Sequence, residues 1–317
     1  MTGRTLIAAL FLLLLALPAR AQDWPNRPVV IVYPFAAGGG ADAMMHGLAQ
    51  ALSAKFGQPF AVENRTGAGG ALGSVYVAKA APDGYTLLMT AIGPAVLNQL
   101  LFKSVAYDTD KDFAPVILFG EIPQLIIASP KLGFKSLGEL VDFGKNNPGK
   151  LNIGHAGAGS MGHLTAALFL ARTGIKGTLV AYRGAVPVVL DVIGGQIQAG
   201  VPVYVPPARK ATILAVTSDQ RISFLPEVPT AREGGVDLIA STWIAIMAPA
   251  GTPPAVIDRL NAAINEFISS PDGQRQFTTA GIRPLGGTPG HLADVIKQDR
   301  ALWAPVIEKE HITLEPK

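Results

Sequence analysis

Three stretches of the chain set a cluster of glycines directly before an apolar helical pattern. They are Phe35-Ala36-Ala37-Gly38-Gly39-Gly40-Ala41-Asp42, Thr66-Gly67-Ala68-Gly69-Gly70-Ala71 and Gly157-Ala158-Gly159-Ser160-Met161-Gly162. At such junctions backbone N–H groups converge and the helix start carries partial positive charge. Glycine lets a ligand come close to the backbone, so the combination makes a site for an anion. What surrounds these loops narrows the anion. No Lys or Arg occurs from Pro28 to Ala54 or from Leu151 to Ala171. A polyphosphate site normally adds a lysine or a metal carboxylate, and no G-x-x-x-x-G-K-[ST] signature is present. The dinucleotide fingerprint fits poorly: Ala43 at its third glycine position is tolerated, but only Glu63 is placed to bind a ribose, and export would remove the chain from nicotinamide cofactors. A carboxylate held by neutral donors fits best, with no cofactor.

Enzyme chemistry has one foothold. Ala158-Gly159-Ser160-Met161-Gly162 is close to a G-x-S-x-G nucleophile elbow, with alanine in place of the first glycine. The alternative is a secreted serine hydrolase using Ser160, with His291 or His311 following an acid. Ser160 also stands where a helix N-cap belongs, and that role needs no partner. The five histidines show no metal-ligand spacing, and the absence of cysteine removes thiolate nucleophiles, thiolate metal sites and disulfides. The reading is a binding protein, not an enzyme.

The elements that must hold these loops alternate strand and helix, which predicts an α/β fold with mixed, mainly parallel sheets flanked by helices. Val29 to Tyr33 is a continuous apolar run, as a strand covered on both faces would be. Similar short runs cover 60–62, 85–90, 151–155, 179–182 and 213–216. Ser136-Leu137-Gly138-Glu139 is a capping box, and Thr252-Pro253-Pro254 opens a helix with Thr252 as N-cap. Val116 to Ser129 reads as a chain crossing between two lobes, and Ser241 to Ala248 as its return. The expected division is a leader at 1–21, one lobe from 22–122 plus 240–317, and a second from 123–239. The leader rests on Arg4, the apolar run Leu6 to Leu17, and Ala19-Arg20-Ala21 as a cleavage pattern. Removing Arg4 and Arg20 leaves 24 basic against 23 acidic residues, a formal charge of +1 rather than +3. That balance offers no basic stripe for nucleic acid. The sequence predicts export to the periplasm and a monomer.

Taken in order, these stretches resemble the Bug family, the extracytoplasmic receptors of tripartite tricarboxylate transporters. The similarity runs through Trp24-Pro25-Asn26-Arg27-Pro28, the first two glycine loops, Val62-Glu63-Asn64-Arg65, Ala81-Pro82-Asp83-Gly84-Tyr85, Pro148-Gly149-Lys150, Leu225-Pro226-Glu227-Val228-Pro229-Thr230 and Ala248-Pro249-Ala250-Gly251-Thr252-Pro253. The resemblance implies a type II periplasmic-binding-protein fold, an organic-acid ligand and membrane permease subunits as partners. Sensing for a membrane signalling partner is the alternative to uptake. It also implies a ligand carboxylate on Phe35, Ala36, Gly38, Gly39, Gly69, Gly70 and Ala71, with Ala91 and Gly93 after the third strand. From the second lobe it implies Ser160, His163, Tyr182, Arg183 and Gly184. Asp42 is read as a helix N-terminal charge, and Glu63 and Asn64 as organisers of the second loop. One stretch departs from the family: where F-D-N is usual, this chain has Ala199-Gly200-Val201-Pro202-Val203-Tyr204 and is shortened through 211. An Asp there can pair with an ammonium and Pro202 cannot, which favours a simple or aromatic carboxylate over an amino acid.

Overall fold

The structure is a computed structural model, and it describes residues 24–35, 37, 38 and 40–309. The expected leader, 1–21, lies outside the described residues, as do Ala36 and Gly39. Among the described residues, eleven strands form two mixed sheets. The first holds β1 (Val29–Tyr33), β2 (Phe60–Asn64), β3 (Thr86–Ala91), β4 (Phe113–Pro123), β10 (Ser241–Pro249) and β11 (Arg283–Pro284), in the order β11-β4-β10-β3-β1-β2. The second holds β5 (Leu125–Ala128), β6 (Asn152–His155), β7 (Thr178–Ala181), β8 (Ala199–Val201) and β9 (Thr212–Val216), in the order β7-β6-β8-β5-β9.

Strand direction decides where the glycine loops emerge. β1 pairs parallel with β2 and β3, so the segments after all three leave the sheet at one end. β10 is antiparallel to both β3 and β4, so β4 runs with β3 and leaves at that same end. After Gln124 the chain continues as β5 of the second sheet. β8 is antiparallel to β5 and returns toward the crossing, and β6 and β7 run with it. The segments after β6 and β7 therefore emerge toward the first sheet. Ligand loops at the carboxyl ends of parallel strands are the usual arrangement in α/β sheets.

The sheets are mixed as expected, but parallel pairing does not dominate. Each has two parallel pairings, β1 with β2 and β3 in one and β6 with β7 and β8 in the other. The remaining pairings are antiparallel because β4 and β5 carry the chain one way across the junction while β9 and β10 bring it back. At the junction the connections are stitched together. Gln124 N donates to Thr217 Oγ1 at 3.0 Å, and Thr217 N donates to Gln124 O at 3.0 Å. Gln124 Nε2 donates to Thr242 Oγ1 at 3.3 Å. Arg283 Nε meets Glu121 at 2.6 Å and its Nη2 meets Asp219 at 2.5 Å, tying the edge of the first sheet to the return connection.

Helices cover both faces of each sheet. Gly40–Phe56, Pro254–Ser269 and Pro271–Ala280 close one face of the first sheet over Met44, Met45, Leu48 and Phe277. Ala185–Gly194 covers one face of the second through Val188, Val189 and Val192. The other faces share a continuous apolar core, with Leu88 and Trp243 at one end and Leu164 and Phe169 at the other. The helix Pro289–Lys309 contributes fully buried Trp303 to that core, and its Lys309 lies beside Leu170 and Ala171. Two capping expectations meet different outcomes. Ser136 Oγ accepts from Glu139 N at 3.2 Å as a cap should. Thr252 does not cap the helix Pro254–Ser269, because its hydroxyl donates back to Pro249 O at 2.7 Å and Pro253 holds the N-cap position.

Candidate ligand site

The first glycine loop is closed by a side chain from the helix it feeds. Gly38, at φ +96°, donates its N–H to Asp42 Oδ2 at 2.9 Å. Asn64, at the end of β2, donates to Asp42 Oδ1 at 3.1 Å and to Phe35 O at 3.2 Å. These bonds, the Gly38 N–H foremost, hold the Asp42 carboxyl below its ordinary range. Asp42 is thus satisfied locally and does not face a ligand as a bare charge. The same geometry revises two readings. Gly38 spends its N–H on Asp42, and Asn64 serves the first loop rather than the second. Glu63 pairs with Arg65 at 2.7 Å just before the second loop, and Arg65 lies 3.6 Å over the Tyr76 ring.

The second loop is a run of left-handed residues: Gly67 at φ +136°, Ala68 at +47°, Gly69 at +61° and Gly70 at +89°. Ala68 is the one non-glycine residue with positive φ among those described, a conformation costing about 1–2 kcal/mol. The turn spends the Gly70 N–H on Gly67 O at 3.0 Å and the Ala71 N–H on Ala68 O. Its carbonyls are held by neighbours, Gly69 O by Asn98 Nδ2 at 3.3 Å and Gly70 O by Ser74 Oγ at 3.0 Å. Asn98 belongs to the segment after β3, so it ties the second loop to the third. In that third segment Ala91 ends the strand and Gly93 opens a wide, π-type helical turn, Gly93–Leu97, closed by Asn98 N–H on Gly93 O. A Cβ on Gly70 would lie 3.1 Å from Pro94 and 3.5 Å from Phe35. Three loops therefore converge on one glycine, where an added Cβ would crowd Pro94 and the positive φ would strain any other residue. Tyr107 braces the third loop from beneath, its hydroxyl on Pro94 O and its pKa pushed up to about 12 by burial.

At the facing end of the second sheet, Ser160 is the N-cap of the helix Met161–Thr173, its Oγ accepting His163 N at 3.2 Å. His163 Nδ1 accepts Gly159 N at 3.1 Å. His155, at the end of β6, hydrogen-bonds Gly157 O through Nδ1 at 3.0 Å and stacks on His163 with ring centroids 4.2 Å apart. Among the described residues no carboxylate hydrogen-bonds either imidazole, and the Ser160 hydroxyl serves as the helix cap. The Tyr182 hydroxyl donates to Asp191 Oδ2 at 2.7 Å, and burial first, then Asp191, pushes its pKa up to about 12. Tyr182 therefore offers its ring rather than its hydroxyl. Arg183 beside it is exposed and carries no ion pair among the described residues. Gly184, at φ +109°, is the N-cap of Ala185–Gly194.

The departing stretch remains ordered strand and turn. Pro202 has no N–H to donate, but its carbonyl accepts Leu125 N at 2.8 Å, and Val203 bridges Gln124. Tyr204 then packs on Phe224, and its hydroxyl accepts Arg209 Nε at 2.9 Å. No group of three or more His, Cys, Asp or Glu among the described residues could hold a metal ion. Sequence reading missed His155, Ser74 and Asn98: Asn98 meets Gly69 from a distant segment, and the short-range bonds of Ser74 to Gly70 O and of His155 to Gly157 O depend on turn geometry that residue type does not announce. The placement of Asn64 at a strand end beside a glycine loop was the one available clue.

Comparison with known proteins places this architecture. The model of the tripartite tricarboxylate transporter family receptor matches residues 44–312. The protein BugT of Bordetella pertussis is 36% identical over 302 residues, covering 93% of this chain and 93% of its own. Among solved structures, R. palustris Rpa4515 with adipate has a TM-score of 0.74 at 32% identity, covering 92% of this chain and 99% of that one. MatC from Rhodopseudomonas palustris with bound malate has a TM-score of 0.70 at 32% identity, covering 90% and 100%. The chain belongs to the tripartite tricarboxylate transporter receptor family, a Bug-type solute-binding protein and not an enzyme.

Proposed function

We propose that this receptor captures a small organic carboxylate in the periplasm and presents it to the membrane permease of a tripartite tricarboxylate-type transporter. The observation that carries the reading is the convergence of three loops without Lys or Arg on Gly70, with the Asp42 carboxylate engaged by Gly38 and Asn64. Such a cradle favours an anion through backbone dipoles and not through a salt bridge. The two relatives solved with adipate and malate support a carboxylate ligand. Two lobes fit the topology, one built on residues 24–122 and 240–309 and the other on 123–239. The ligand docks on the first lobe, and the second closes through the segments after β6 and β7 with Ser160, His163, Tyr182, Arg183 and Gly184. A monomer suffices for this cycle. A leader ending at Ala21 accounts for export, and no helix among the described residues is long and apolar enough to cross a membrane.

Calorimetric titration of the protein starting at Gln22 tests the reading. The panel is mono-, di- and tricarboxylates, each beside its neutral amide. Saturable binding of at least one acid and of none of the amides is expected. Heat from the amides alone, or from nothing in the panel, would overturn it.

A further inference from the structure

Two imidazoles meet face to face at the crossing end of the second sheet. His155 closes β6 and is 3% exposed, while His163 lies in the first turn of Met161–Thr173. Their rings are 4.2 Å apart and within 12° of parallel. Each ring spends its Nδ1 on the turn between them, with opposite polarity. Gly157 O can only accept, so His155 must carry a proton on Nδ1. Gly159 N–H can only donate, so Nδ1 of His163 must be bare and the proton of the neutral ring sits on Nε2. The pair thus holds complementary tautomers and grips the turn at both ends, where Gly157 sits at φ +129° and Gly159 at +72°.

We propose that His155 and His163 are positioning residues for ligand capture, a stacked neutral pair that fixes the Gly157–Gly159 turn and the helix start behind it in the shape that meets the carboxylate on closure. This rests on the receptor reading above. His163 must stay neutral for the grip to hold, whereas His155 keeps its Nδ1–H in either protonation state. A proton on His163 removes the acceptor for Gly159 N–H and sets a cation at the positive end of a helix, stacked on a second imidazole. Among the described residues no carboxylate hydrogen-bonds either ring. The strands Thr178–Ala181 and Ala199–Val201 bring no ionisable side chain, and the Tyr182 hydroxyl is bound to Asp191. Lys309 of the last helix lies beside Leu170 and Ala171, near the other end of Met161–Thr173. Burial first, then His155, accordingly lowers the His163 pKa to about 4, and burial lowers that of His155.

The test pairs a variant that keeps each hydrogen bond with one that removes it. The Asn side chain places an amide near the imidazole Nδ1, so His155→Asn retains a donor and His163→Asn an acceptor, whereas His155→Leu and His163→Leu retain neither. Adipate and malate serve as probes. The Asn variants should bind within about threefold of wild type and the Leu variants about tenfold more weakly, the size of one lost buried hydrogen bond. Long-range proton–nitrogen NMR spectra of the wild type should show Nδ1–H on His155 and Nε2–H on His163 from pH 7 to pH 5. Reversed tautomers overturn the proposal, as do Leu variants that bind like wild type, or Asn and Leu variants equally impaired. If adipate or malate binds wild type with the wrong tautomers, this proposal alone falls. A wild type with both expected tautomers that binds no carboxylate of the full panel overturns the receptor reading and the ligand-positioning claim with it.

Discussion

Asn64 shows how much a single amide can organise. It spans β2 and the first glycine loop, donating to both Phe35 O and the Asp42 carboxylate. Removing it leaves Asp42 with fewer donors and the loop carbonyl free to turn. Asn64→Ala should weaken carboxylate binding about tenfold, with stability reduced by about 1–3 kcal/mol, as expected for a lost charge-assisted bond; calorimetry and urea titration read the two effects. Asp42 gives a prediction with a sign. Its folded pKa lies below the unfolded value of about 3.9, so it contributes stability that is present above that pH and lost as pH falls through the folded value. Asp42→Asn should lower the urea midpoint at pH 7 and flatten its fall below about pH 4; a wild-type acid limb retained in the variant would refute the assignment. His163 has the related dependence of a histidine kept neutral by folding. Its contribution is full above about pH 6.5 and declines as pH falls toward about 4, where the folded ring also protonates. The glycine clusters were legible because backbone freedom is written in residue type. The amide and imidazole contacts were not, because Asn98 meets Gly69 and His155 meets His163 only after separate segments pack.

Among the elements, apolar runs marked the strands, since a strand buried on both faces needs little else. Val29–Tyr33 and Thr212–Val216 follow that rule. The crossing was legible too, with β4 and β5 separated by Gln124 alone. Parallel character was overestimated because repeated strand–helix units announce themselves, whereas the antiparallel pairing of β10 with β3 and β4 depends on chain more than a hundred residues apart. The stitching at the junction was not legible at all. Arg283 joins buried Glu121 to Asp219 from distant parts of the chain. Arg283→Met should strand the Glu121 carboxylate and cost about 3–5 kcal/mol. The double variant Glu121→Gln with Arg283→Met should recover much of that loss; a double variant no more stable than the single one would contradict this account.

At the scale of the molecule, the two sheets share an apolar core on one side, and the last helix runs along it with Trp303 buried. The glycine loops emerge at the facing ends, so closure can bring them together while the stitched connections stay paired. A ligand shifts such an equilibrium only by the difference in its affinity for the two states. Carboxylate-driven closure is therefore the central claim, and the absence of native cysteine makes it directly measurable. Spin labels on cysteines introduced at exposed Lys79 and Lys145, one in each proposed lobe, report the distance between lobes by pulsed electron resonance. The account predicts a second, narrower distance population on adding adipate or malate and no change with the corresponding amides. An unchanged distribution while calorimetry shows the acid bound, or the same shift with the amides, would contradict it.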